Sequence, residues 1–280
     1  MEPVGTDLPS KSYVICTCPR SGSNLLAEGL RATKVAGYPL EWFAPLADAA
    51  APMLRKVTNV QDVRDFQLQF HSAPSDTEFI ERISNLGSSD NGVFGVKLHL
   101  GQIPDAKRRL RGHLGDSASR LDALLLKSFP NLSFVWLRRR DKVAQAISFY
   151  RAIETGEFLR RPHESSKGSP RRSFDLNSVY RYAETLTGED SAWQQIFELC
   201  GIRPLEIFYE DFTAAYQPTI QAVLSFLGIQ RLEADELVPG LVRQADELSA
   251  ECHRQFLARW PRIEADKKEL LLPWVMGLLH

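Results

Sequence analysis

Long apolar runs are missing from this 280-residue sequence. The most apolar stretch, Leu270 to Leu279, is interrupted by Pro273 and Gly277 and is too short for the ~30 Å hydrocarbon layer of a bilayer. No membrane span is expected there. The segment at about 265–280 reads instead as one that docks on the core or on a second subunit, which permits a homodimer. The opening MEPVGTDLPSK lacks an apolar core, so it is not a secretory signal, and about 1–11 is expected to be flexible. Cysteine is scarce: Cys16, Cys18, Cys200 and Cys252 show no CxxC spacing and fit the reduced thiols of a cytoplasmic protein. The six histidines form no HExxH-like pattern, so no metal is expected. Neither sign of charge dominates. The net charge is −1, which argues against a nucleic-acid partner.

Arginine is present, and clustered: Arg108-Arg109 with Arg111, Arg138-Arg139-Arg140, Arg160-Arg161 and Arg171-Arg172. Three of these clusters read as solvated faces. The second does not, because it ends an apolar run, Leu132 to Leu137.

Apolar runs and helical stripes alternate along the chain. Strands are expected at about 12–17, 93–98, 132–137 and 205–209. Helices are expected at about 23–33, 121–129, from Asp141 onward, and at about 176–200. A further stripe joins Tyr216, Ile220, Val223, Leu224 and Leu227 at i, i+4, i+7, i+8 and i+11. Strands apolar throughout, separated by helices, predict a three-layer α/β domain, a parallel sheet with helices on both faces. The chain, 1–280, reads as one domain. Residues 45–89 have weak periodicity and are left unplaced. Residues 159–174, polar and basic with Gly and Pro, read as a long loop, the kind that serves as a lid or linker.

The stretch CPRSGSNLL, Cys18 to Leu26, joins the first strand to the first helix. Gly22 permits a tight turn, and the amides of Ser21 to Leu25 can face one concavity at a helix N-terminus, an arrangement that binds phosphate. Ser21 and Ser23 offer hydroxyls, and Arg20 offers a planar cation. The plainer alternative is a helix cap by Ser21 or Ser23. The Gly-Lys-Ser/Thr ending of an ATP-binding loop is absent, since Ser23-Asn24 follows Gly22.

At the end of the 132–137 strand the three arginines occupy the edge where open α/β sheets bind ligands. Asp141, Gln145 and Ser148 share one face of the next helix, opposite Val143, Ile147 and Tyr150, so the arginines with Ser148 can clasp a second phosphate. Glu41 lies in GYPLEWF beside Trp42 and Phe43. Rings stack on sugar C–H faces and a carboxylate takes a hydroxyl proton, although Glu41 alone could equally be an ordinary loop carboxylate. IFYEDF, Ile207 to Phe212, reads as a strand ending in a carboxylate cap. VRQAD, Val242 to Asp246, offers Arg243 to a nucleotide.

Taken together these motifs resemble the sulfotransferases, and more closely the bacterial trehalose sulfotransferase family known from mycobacteria. Segments similar to RSGSNLL, GYPLEWF, GVKLHLGQ, RRRDKVAQAISFYRA and VRQAD occur there in this order, so the resemblance covers about residues 12–260. It implies a fold related to the nucleotide kinases. It also implies 3′-phosphoadenosine 5′-phosphosulfate (PAPS) as donor, no metal, and a carbohydrate or glycolipid hydroxyl as acceptor. By the resemblance, Arg20, Ser21, Gly22, Ser23, Asn24 and Leu25 hold the 5′-phosphosulfate, Arg20 also neutralising the leaving group. Arg139 with Ser148 holds the 3′-phosphate. Glu41 is the general base, with Trp42, Phe43 and Lys97 on the acceptor side. Three departures stand out: Asn24 replaces the usual Thr, Arg20 replaces a frequent Lys, and Arg139 to Ser148 span nine positions instead of eight. The last leaves Arg140 as an alternative ligand. A small-molecule kinase and a non-catalytic nucleotide or polyanion binder remain the rival expectations.

Overall fold

The computed structural model describes residues 9–46, 60–117, 119–162, 164, 174–230, 237–242, 244–260 and 268–280. Four strands, β1 (Lys11–Thr17), β2 (Val93–His99), β3 (Leu132–Arg138) and β4 (Leu205–Phe208), form one sheet in the order β2-β1-β3-β4. All pairings are parallel, with Val14 opposite Val96 and Phe134.

The period of two along β1 divides the core. Val14 and Cys16 point into one apolar cluster with Val96, Leu98, Phe134 and Trp136. Tyr13 and Ile15 point into another with Val135, Leu137 and Ile207. On the second face pack α1 (Ser23–Ala32) and α9 (Tyr216–Phe226), preceded by the short α8 (Tyr209–Ala214). On the first face pack α3 (Asp76–Gly87), α4 (Ile103–Leu114), α5 (Leu121–Ser128), α6 (Lys142–Thr155) and the long α7 (Leu176–Cys200). The strands are therefore buried on both faces, as their unbroken apolar runs require.

Much of the expected order appears, with corrections. The unplaced stretch contains two helices, α2 (Val60–His71) and α3. Their periodicity is weak because α2 exposes Val63, Phe66 and Leu68 while burying Phe70. Residues 47–59 lie outside the described residues. Tyr209 begins a helix and does not end β4. The carboxylates of IFYEDF cap no helix of their own. Glu210 instead accepts from the backbone amides of Arg140 and Asp141, at 3.1 and 3.2 Å. Two further helices, α10 (Glu247–Arg259) and α11 (Lys268–Leu279), close the chain. From α11, Val275, Leu278 and Leu279 enter the first cluster, so this segment docks on the chain's own core. Residues 163 and 165–173 of the basic stretch, with residues 1–8, lie outside the described residues. The described cysteines are free, and no described helix is long and apolar enough to cross a membrane.

Candidate active site

The site forms at the carboxyl ends of β1, β2 and β3, where an open parallel sheet leaves a crevice. Gly22 is the N-cap residue of α1, in the left-handed region at φ 91°, and no side-chain hydrogen bond caps the helix. A Cβ at Gly22 would stand 2.5 Å from the Tyr209 ring, so the turn requires glycine. The alternative of a Ser21 or Ser23 cap is thereby corrected. The Ser21 hydroxyl turns inward to Thr17, which in turn donates to Leu137 O at 3.0 Å. Ser23 is buried, and Leu25 packs toward the second cluster. An uncapped N-terminus keeps its partial positive charge for an anion.

Three consecutive arginines take three directions. Arg138, the last residue of β3, pairs with Asp190 at 2.6 Å and Glu206 at 2.7 Å. Arg140 is exposed and grips both oxygens of Asp211 at 2.7 and 2.6 Å, over the Phe208 ring. Only the middle one of the three turns to the loop. Arg139 is buried, lies 4.6 Å above the Tyr209 ring and donates to the Arg20 carbonyl at 3.4 Å. Arg140, the alternative ligand, is not brought to the loop. The expected repulsion within the triplet is relieved by carboxylates at all three, since Glu210 Oε1 also stands 3.9 Å from Arg139 Nε.

Arg20 has φ 61°, uncommon for a residue with a Cβ and typical of functional turns. Its guanidinium donates to Ser148 Oγ at 3.0 Å, to Gln244 Oε1 at 2.7 Å and to the Phe158 carbonyl. Burial, and then the neighbouring Arg139, pull its pKa down to about 10. Two desolvated guanidiniums side by side are costly unless an anion shares them. Arg20 thus meets Ser148 through its side chain and Arg139 through its backbone carbonyl. The side chain expected to neutralise the leaving group, Arg20, is therefore tied to the residue expected at the 3′-phosphate, Ser148. Gln145, not anticipated as more than a face residue, is buried and braces the loop through Pro19 O at 2.7 Å. Arg243 lies outside the described residues, although its neighbour Gln244 holds Arg20.

Glu41 reaches the crevice by a different route. After α1 the chain reverses at Gly37, φ 66°, where a Cβ would meet Val93 O at 2.4 Å. Leu40 then runs parallel to β2, its carbonyl accepting from Lys97 N at 2.8 Å. This sets Glu41 over the end of β2. Lys97 Nζ lies 2.9 Å and His99 Nε2 3.4 Å from Glu41 Oε1, and Gln102 Nε2 donates to Oε2 at 2.8 Å. Burial alone would raise the Glu41 pKa. The Lys97 ammonium and the His99 imidazole outweigh it and hold the carboxyl well below the usual carboxylate range. Lys97 also donates to Asn24 Oδ1 of the loop. Lys97, His99 and Gln102 all come from GVKLHLGQ, a motif from which the sequence singled out Lys97 alone.

Trp42 and Phe43 do not wall the crevice. Each is 1% exposed. Trp42 donates to Gly95 O at 3.0 Å and packs on Phe66 and Phe70, while Phe43 packs on Phe79. Their large apolar area belongs to the core, and they anchor the segment that carries Glu41.

The site therefore offers an anion cradle and, across one buried lysine, a hydrogen-bonded carboxylate. The sequence pattern of the Stf0 sulphotransferases matches residues 12–259. The chain belongs to this family. It is 29% identical over 262 residues to the trehalose 2-sulfotransferase of Mycobacterium tuberculosis (strain ATCC 35801 / TMC 107 / Erdman), covering 90% of this chain and 97% of the relative. It is 30% identical over 252 residues to that of Mycolicibacterium smegmatis, covering 86% and 92%. A solved sulfotransferase domain of the Synechococcus PCC 7002 olefin synthase aligns over 99% of this chain and 98% of its own, with 14% identity and a TM-score of 0.47. As a member of the Stf0 family the chain is an enzyme, a sulfotransferase.

Proposed function

We propose that this sulfotransferase moves a sulfuryl group from PAPS to a hydroxyl of a carbohydrate, trehalose or a related glycoside, by in-line displacement. The observation that carries this reading is the pairing of a buried guanidinium, Arg139, and a part-buried one, Arg20, at an uncapped helix N-terminus with a carboxylate across Lys97. PAPS, when bound, supplies an activated sulfuryl group on a doubly anchored nucleotide. The cradle fits such a ligand, because Arg20 and Arg139 are desolvated, mutually repelling cations. Arg139 and Ser148 hold the 3′-phosphate. The amides from Ser21 to Leu25 and the side chain of Asn24 hold the 5′ end.

Glu41 accepts the acceptor's hydroxyl proton as the hydroxyl oxygen bonds to sulfur. The sulfur–oxygen bond to the 5′-phosphate breaks, and its electron pair stays on that phosphate. Positioned donors and in-line placement then provide most of the rate, and no step calls on a metal. The acceptor class rests on the two relatives, both trehalose 2-sulfotransferases by name. We place the enzyme in the cytoplasm as a single catalytic domain able to pair as a homodimer.

The test is transfer from labelled PAPS to a panel of sugars and glycolipids, read by mass spectrometry. Sulfated trehalose or a related glycoside is expected. Stabilisation by adenosine 3′,5′-bisphosphate with no transfer to any sugar or glycolipid would keep the donor and overturn the acceptor class.

A further inference from the structure

The two halves of the site share one side chain. Lys97 sits two residues before the end of β2 and is 3% exposed. Its backbone is fixed by the hydrogen bond to Leu40. Its ammonium donates to Asn24 Oδ1 in the first turn of α1 and lies 2.9 Å from Glu41 Oε1. A buried ammonium must keep hydrogen-bonded partners and a counter-charge. Asn24 gives a neutral dipole; Glu41 gives the full negative charge. The other groups facing Glu41 are His99 on the same oxygen and Gln102 on the opposite one. Neither touches the loop through a described hydrogen bond, so Lys97 is the link.

This arrangement poses a chemical problem for the reading above, on which the inference rests. A carboxylate gripped by an ammonium is a weak base toward a sugar hydroxyl. An anion placed at Asn24 would draw on the same ammonium. We infer that Lys97 is a positioning residue that couples donor to base: Glu41 and the donor's 5′ anion compete for its single charge. With the loop empty, Lys97 neutralises Glu41. With an anion at the loop, its charge is shared, and Glu41 becomes the stronger base when a sulfuryl group is present to be transferred. The coupling is reciprocal, so Glu41 must also weaken donor binding. The Asn at position 24 belongs to this device, since its amide oxygen directs one N–H of Lys97 toward the loop.

The test needs no turnover. Adenosine 3′,5′-bisphosphate and adenosine 3′-monophosphate, which lacks the 5′ anion, are titrated calorimetrically into the wild type, Glu41→Gln, Lys97→Met and the double variant, with thermal midpoints for each. Glu41→Gln is expected to bind the bisphosphate about 3- to 20-fold more tightly, the range of couplings between contacting charges. Its affinity for the monophosphate should stay within about twofold, since that ligand carries no 5′ charge to compete. The gain should vanish on the Lys97→Met background. Unchanged or weaker bisphosphate binding by Glu41→Gln overturns the inference. So does a gain that persists without Lys97, or one shared equally by both nucleotides. If Lys97→Met does not fold, the contrast between the two nucleotides in Glu41→Gln still decides. The base role is judged apart: lost turnover with unchanged affinity keeps the base and removes the coupling, whereas retained turnover with tighter binding does the reverse.

Discussion

The donor cradle and the Glu41 cradle lie at the same sheet edge and are built on opposite electrostatic plans. At the loop, Arg20, which holds Ser148, and Arg139 crowd together, desolvated and mutually repelling. Around Glu41, one carboxylate is held by Lys97, His99 and Gln102. The first region gains stability when an anion arrives. The second is already satisfied and must be loosened to act. The pair teaches that a binding site can be recognised by like charges packed together, and a base by opposite charges that are well paired but adjustable.

The sharpest way to break this comparison is Glu41→Gln. Turnover should fall about 10²- to 10⁴-fold, the worth of a positioned general base, while the fold holds because Trp42 and Phe43 anchor the segment, the thermal midpoint falling only by the lost pairing with Lys97. Steady-state rates and a melting curve on this variant check it. Activity that survives in the folded variant would mean that Glu41 is only a brace.

Arg139→Ala addresses the other region. Affinity for adenosine 3′,5′-bisphosphate should drop by about 1.5–3 kcal/mol, the value of a hydrogen bond to a charged group. Adenosine 5′-phosphosulfate, which has no 3′-phosphate, should be little affected. Arg140→Ala, which removes an exposed pair with Asp211, should change stability little, as exposed ion pairs do, and leave both nucleotides alone. A larger binding loss at Arg140 than at Arg139 would reverse the assignment.

Gly22→Ala probes the turn that both regions share. The left-handed backbone should cost about 1–2 kcal/mol, roughly 2–6 °C in thermal midpoint. The clash with Tyr209, on which Arg139 rests, should lower bisphosphate affinity as well. A variant as stable and as tightly binding as the wild type would show that the turn tolerates a Cβ.

The smallest effect is the pH dependence of stability. Lys97 and His99 depress the Glu41 carboxyl in the folded state, so its contribution is fully present above the unfolded value of about 4.3. It is lost as pH falls through the lower, folded value. The stability difference between wild type and Glu41→Gln should therefore be flat at neutral pH and shrink in acid. A difference that grows as pH falls contradicts the pairing.

What could be read early differs between the two regions as well. The loop, β3 and α6 are close in sequence or carry local signals, such as Gly22 after an apolar strand, Asp141 as the N-cap of α6 and Ser148 on its polar face. These were legible. The Glu41 cradle was legible only as isolated residues, because Glu41 and Lys97 meet through the Leu40–Val96 bridge, a contact no local pattern announces. Trp42 and Phe43 misled for a related reason: an aromatic beside a carboxylate looks alike whether it faces a ligand or the core.

The sequence by itself determined the parallel α/β sheet, the strand-to-helix phosphate turn and the family. These follow from hydrophobic period, glycine placement and motif order, all of which act over short stretches of chain. Only the tertiary structure decided which of three arginines serves the loop, that Arg20 joins Ser148, and that Lys97 stands between donor and base. Those outcomes depend on which charges the packing leaves desolvated and which it brings into contact, and electrostatic partners in a folded chain are set by distance in space.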